Sequence, residues 1–137
     1  MCTLAQLLCL SVQASSSFPT KDVPATFDIN EFKKLGKQEK RLKYLQDTSM
    51  YIGAGSSRIV FAISPKKVIK LAGGSSYDRA DSGYVAKGVN QNKVETEVWE
   101  KSSDEIRMIL PKVYEVGPQF LWVLSELVRP LKSDNEL

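Results

Sequence analysis

Among its 137 residues the sequence has no histidine. That absence removes Ser-His-Asp and Cys-His catalysis, the HExxH zinc site and any proton shuttle built on an imidazole. Cysteine is scarce as well. Cys2 and Cys9 are the only two, too few for a zinc site unaided, and their spacing of seven would put both on one face of a helix. They read as free buried thiols of a reducing compartment rather than as a bridge. Long apolar runs are missing too. The stretch Thr3 to Ala14 is broken by Gln6, Ser11 and Gln13, and no Lys or Arg precedes Leu4. It is too short to span a membrane and lacks the basic start of a secretory signal, so no membrane role is expected. A short amphipathic helix, packed on the domain or on a partner, is the expectation there.

What remains is the composition of one globular domain. A hydrophobic fraction of 42% with 26% charged residues is too apolar for a wholly disordered chain. A chain of this length buries roughly two thirds of its unfolded surface, enough to fold without disulfide or metal. The net charge of +3 supports solubility and gives little reason to expect nucleic acid as a partner. Residues 1–26 divide into the apolar segment and a linker, Ser15 to Pro24, with three successive serines and two prolines. The domain proper is expected over residues 27–137.

It opens with a helix signal. Asp28 followed three later by Glu31 makes a capping-box-like start, and Ile29, Phe32, Leu35, Leu42 and Leu45 recur at helical spacing. The spacing predicts a helix from about 29 to 46, open to interruption at Gly36. Its other face carries Lys33, Lys34, Lys37, Lys40, Arg41 and Lys43, which reads as a solvated face. No aromatics are interleaved there to stack on bases.

From Met50 to Ile63 two strand-like segments flank Gly53-Ala54-Gly55-Ser56-Ser57. A dinucleotide fold needs a helix beginning at such glycines, whereas Ile59 to Ile63 is β-branched and aromatic and favours a strand. No Gly-Lys-Ser/Thr follows, which excludes the P-loop. Glycines in a hairpin let the backbone lie close over a bound group with amides facing phosphate oxygens; they serve a tight turn equally well. Val68-Ile69-Lys70-Leu71 is a short strand in which Lys70 shares a side with Val68, so it is either exposed or buried against an anionic partner. Residues 72–89, with four glycines and several serines, read as a loop. A helix over 90–101 follows, its buried side marked by Val94, Val98 and Trp99, with Glu95 or Glu97 able to reach Lys70. After a polar turn at 102–105 come strands at 109–116 and 120–128 joined by Gly117-Pro118. The fold class is α+β: a five-stranded antiparallel sheet with one packed helix, preceded by one or two N-terminal amphipathic helices.

That order and those residues resemble the N-terminal lobe of the protein-kinase-like fold over residues 27–131. Gly53-x-Gly55-x-x-Arg58-x-Val60 lines up with the glycine-rich loop GxGxxGxV, with arginine at the third glycine, and Lys67-Val68-Ile69-Lys70 with the VAIK strand. The chain is similar to small kinase-like proteins of tailed bacteriophages, which implies the host cytoplasm or a virion as its location. The resemblance implies ATP as ligand, with or without Mg2+. Gly53, Ala54, Gly55, Ser56 and Ser57 would cover the phosphates, Lys70 would hold them and pair with Glu95, and Glu97 is the alternative. Ile52, Val60 and Val68 would roof the base, Ser125 would be the gatekeeper, and backbone groups of Glu126 and Val128 would bond the adenine edge.

The departures carry equal weight. A kinase needs a second lobe with its base and metal ligands, and no HRD motif exists without histidine. Asp81-Ser82-Gly83 imitates DFG but lies before the helix and reads as a loop turn. The expectation is therefore a nucleotide-binding half of a phosphotransferase, inactive alone and either part of a longer protein or free-standing. The alternative is a non-catalytic module that binds a protein partner. An isolated lobe leaves the underside of its sheet open to a second lobe or partner, and the segments before residue 50 are expected to pack on it.

Overall fold

Asp28 starts the first helix by accepting a hydrogen bond from the Asn30 amide at 2.9 Å. The computed structural model describes residues 26–55, 57–73 and 83–128. Helix α1 covers Ile29–Lys33 and α2 covers Gln38–Thr48. The single helix expected over 29–46 is thus two, with Leu35 and Gly36 in the break. Glycine costs about 1 kcal/mol in a helix interior. The break lets Phe32 on α1 and Leu42 and Leu45 on α2 enter one apolar cluster.

The five strands are β1 (Met50–Ala54), β2 (Arg58–Ser64), β3 (Lys67–Ala72), β4 (Val113–Val116) and β5 (Trp122–Glu126). They form one antiparallel sheet in the order β1-β2-β3-β5-β4. Helix α3, Gly83–Lys101, follows β3 and packs across it. The fold is therefore the expected α+β arrangement. Two boundaries differ from the sequence reading. Helix α3 begins at Gly83, well inside the expected loop. A short helix α4, Asp104–Arg107, capped by the Ser103 hydroxyl, and the turn after it hold residues expected to begin β4. β4 and β5 are joined by a 3-10 turn, Pro118–Phe120, in which Gln119 and Phe120 adopt φ of 54° and 57°. Both lie in the left-handed region, which is uncommon for residues other than glycine.

Side chains alternate across the sheet, so residue parity sorts them by face. Ile59 and Phe61 of β2, Ile69 and Leu71 of β3, and Trp122 and Leu124 of β5 share one face with Phe32, Leu42 and Leu45. Phe32 meets Trp122 edge-on at 5.1 Å between centroids. On the opposite face Ile52, Val60, Ala62, Val68 and Leu127 form a smaller cluster. Arg58, Lys70 and Ser125 have the parity of that second face, since Val60 pairs Lys70 and Val68 pairs Ser125. The segments before residue 50 were expected to pack on the lobe, and α1 and α2 do so; residues 1–25 lie outside the described residues. Among the described residues, α1 and α2 cover the face opposite Lys70. Parity explains the placement: the apolar stripe of α2 meets the odd-numbered residues of β2 and β3.

Candidate functional site: a buried ionic cluster beneath the glycine hairpin

Two strands and one helix build the ionic cluster. β3 carries Lys70, β2 carries Arg58, and α3 presents Asn92 and Glu95, three residues apart and so on one side of the helix. Lys70 Nζ pairs with Glu95 Oε1. Arg58 Nη1 donates to Glu95 Oε2 at 2.7 Å and to Asn92 Oδ1 at 3.0 Å. Asn92 Nδ2 donates in turn to the Phe120 carbonyl at 2.8 Å. One carboxylate thus bridges two cations, and one amide ties the cluster to the left-handed turn between β4 and β5.

All of this is dry. Lys70 is 0% exposed, Arg58 2% and Glu95 5%. Burial pushes the Lys70 ammonium below its ordinary pKa; Glu95 opposes that shift and Arg58 adds to it. Burial alone would raise the Glu95 carboxyl, but Lys70 and Arg58 together outweigh it and hold the group below its usual value. Desolvating such a cluster costs several kcal/mol per ion, roughly what its internal attraction returns, so its presence is weak evidence of a stabilising role.

The glycine hairpin sits at one end of this cluster. Gly53 pairs Val60, with a register shift between Tyr51 and Gly53. Ala54 is exposed and Gly55 half-buried. The Gly55 amide donates to the Arg58 carbonyl at 2.9 Å, so the turn itself takes a donor that was offered for phosphate. Ser56 lies outside the described residues. Ser57 is buried, its carbonyl accepts from the Gly73 amide at 2.8 Å, and its hydroxyl has no hydrogen-bond partner among the described residues. Helix α3 approaches here with bare backbone: a Cβ on Gly88 would overlap the Ser57 carbonyl oxygen and come within 2.8 Å of Ala72 Cα.

Beside the cations lies the apolar strip of Ile52, Val60 and Val68. Leu127 completes it, a residue the sequence reading passed over in favour of its neighbours. Ser125 is fully buried opposite Val68, and its hydroxyl too lacks a partner among the described residues. The Glu126 amide donates to the Lys112 carbonyl at 2.8 Å, and its carboxylate accepts from the Lys112 amide at 3.3 Å. That amide is held by the sheet side. Val128 is half-buried just past β5. Glu97 is half-buried and makes no ion pair among the described residues, which leaves Glu95 as the partner of Lys70.

Arg58 and Asn92 were not read as site residues from the sequence. Parity with Val60 carries the signal for Arg58: a side chain two before Val60 on the same strand must project to Lys70's face. On α2 the solvated basic face needs one correction. Arg41 is buried, donating to Gln38 Oε1 at 2.9 Å, while Gln38 Nε2 bonds the Ala72 and Leu121 carbonyls, both at 2.8 Å. The remaining lysines of that face are exposed.

These residues fit a nucleotide in part. A lysine held by a helix carboxylate and an apolar strip ending at β5 suit phosphates and a base. Arg58 is the misfit, because it brings a guanidinium where the glycine-rich loop has no side chain. Among the described residues no group of three or more Cys, Asp or Glu is placed to hold a metal ion, and Asp81 lies outside them. No described helix is long and apolar enough to cross a membrane. Comparison with models of known families, with curated proteins and with solved structures found no match.

Proposed function

We propose that the chain is a nucleotide-binding lobe of kinase-like type, holding ATP but not transferring phosphate alone. One observation carries this reading: a strand lysine and a helix carboxylate pair in a buried setting, directly beside a glycine hairpin and an apolar strip. In this arrangement Lys70 meets the phosphates and Glu95 orients it. Ile52, Val60, Val68 and Leu127 contact the base, with Ser125, Glu126 and Val128 at its edge. Ser57 lies at the phosphate end. Catalysis would need a general base and metal ligands from a second lobe or partner.

The test is calorimetric titration of the whole chain with ATP, with and without magnesium, beside a Lys70→Ala variant whose fold is checked by circular dichroism. Saturable binding that is lost in the variant supports the reading. No binding at millimolar ATP overturns it and favours a non-catalytic interaction module. The observation on that side is Arg58, which supplies Glu95 with a second cation from the chain itself.

A further inference from the structure

We propose that Arg58 is a second phosphate-binding cation of this site, so that the site takes a polyphosphate chain on two fixed side-chain cations without needing a divalent ion to bind it. The inference deepens the nucleotide reading and rests on it. Three observations carry it. First, position: Arg58 lies two residues before Val60 on β2, and Val60 pairs Lys70, so all three project to one face. The guanidinium therefore lies on the face that carries Lys70. Second, orientation: both Nη1 hydrogens are taken, one by Glu95 and one by Asn92, and Asn92 is itself fixed to Phe120. The group is held in place by the chain's own side chains, which is what a binding site requires. Third, an unmet donor: Arg58 Nε is buried with no hydrogen-bond partner among the described residues. A buried donor without an acceptor is costly, and a cationic one more so. Phosphate oxygens are the acceptors that a guanidinium edge matches best, through paired N–H bonds. A buried cationic donor without an acceptor, on a guanidinium already paired with Glu95 beside Lys70, thus points to an anion.

The experiment titrates the full chain with ATP and with inorganic tripolyphosphate, each in EDTA and in magnesium. Variants are Arg58→Met, which keeps the stem volume, and Arg58→Lys, which keeps a charge beside Glu95 and so guards against loss of the fold. Wild type should bind both ligands in EDTA. Arg58→Met should weaken both by about tenfold or more, and Arg58→Lys severalfold through loss of the paired bonds. Equal or tighter binding by the variants would overturn the proposal and make Arg58 a plug. Binding of ATP by wild type only with magnesium would overturn it as well. Wild type that binds tripolyphosphate but not ATP keeps Arg58's role and removes the nucleotide reading; wild type that binds neither removes both.

Discussion

The two faces of this sheet solve opposite problems. On one, Phe32, Leu42 and Leu45 meet Ile59, Phe61, Ile69, Leu71 and Trp122, all buried and apolar. Each such side chain contributes about 1.5–3 kcal/mol through burial alone, with little demand on direction. On the other, Arg58, Lys70 and Glu95 are equally buried but charged. Their value depends on geometry, because each ion must recover its lost hydration from the others. A domain that needed only stability would use the first solution on both faces. The charged face is the one on which the proposed site lies.

The largest contrast should come from Glu95→Ala, which leaves two buried cations without their carboxylate. Urea unfolding should show a loss of about 3–5 kcal/mol. Replacing all three together, by Arg58→Met, Lys70→Met and Glu95→Leu, should be neutral or stabilising by about 1–4 kcal/mol. A Glu95→Ala cost below about 1 kcal/mol would mean that water reaches the cluster. The pH dependence has a definite sign at both ends. Glu95 has a lowered pKa in the folded protein, so its contribution is full above the unfolded value, about pH 4.3, and is lost as pH falls through the folded value. Lys70 is also lowered, so the unfolded chain binds more protons between the folded value and about pH 10.4, and stability rises with pH there. Glu95→Gln should flatten the acid limb in melts recorded across pH.

The apolar face breaks differently. Leu45→Ala should cost about 3 kcal/mol, within the range of about 2–5 for a buried leucine. The whole stability curve should drop without changing its pH profile or salt dependence. If Leu45→Ala also shifted the acid limb, the two faces would be coupled through the sheet rather than independent.

How much of this was legible depended on which rule applied. Period-2 alternation placed Lys70 on the side of Val68, and helical spacing offered Glu95 or Glu97 as its partner, so local patterns narrowed the pair to two candidates, of which the structure has Glu95. The face that α1 and α2 cover did not follow. A helix stripe shows that it needs an apolar partner, never which side of the sheet supplies it. Gly83 and Gly88 made the start of α3 look like a loop, since glycine disfavours helix; Gly88 is there because the helix touches the Ser57 carbonyl and Ala72. Arg41 looked solvated from its charge alone and is buried beside Gln38. Arg58 was visible as a departure from a pattern, but its partners Asn92 and Glu95 lie 34 and 37 residues on, beyond any local signal.

Gly88→Ala tests the close approach that seats α3. The added methyl would overlap backbone rather than a side chain that can rotate away, so the helix must move. Overpacking of this kind costs about 1–3 kcal/mol. Because α3 carries Glu95, the same change should weaken ATP binding if the nucleotide reading holds, whereas Leu45→Ala should leave it unchanged at temperatures where the variant is folded. Equal stability of Gly88→Ala and wild type would show that α3 sits farther from Ser57 than described.

The smallest effect should come from a charge pair outside both faces. Lys33 on α1 lies 2.5 Å from Glu115 on β4, and both side chains are well solvated. Such a pair gains little in water and must hold two long side chains still, so Lys33→Ala should change stability by only about 0–1 kcal/mol. Whatever it contributes should vanish in 1 M salt, where the screening length is about 3 Å. The buried cluster should lose less under the same salt, because buried pairs are screened less than exposed ones. A Lys33→Ala cost that persisted in high salt would mean that the stem of Lys33 packs against the sheet and that α1 is anchored there by more than charge.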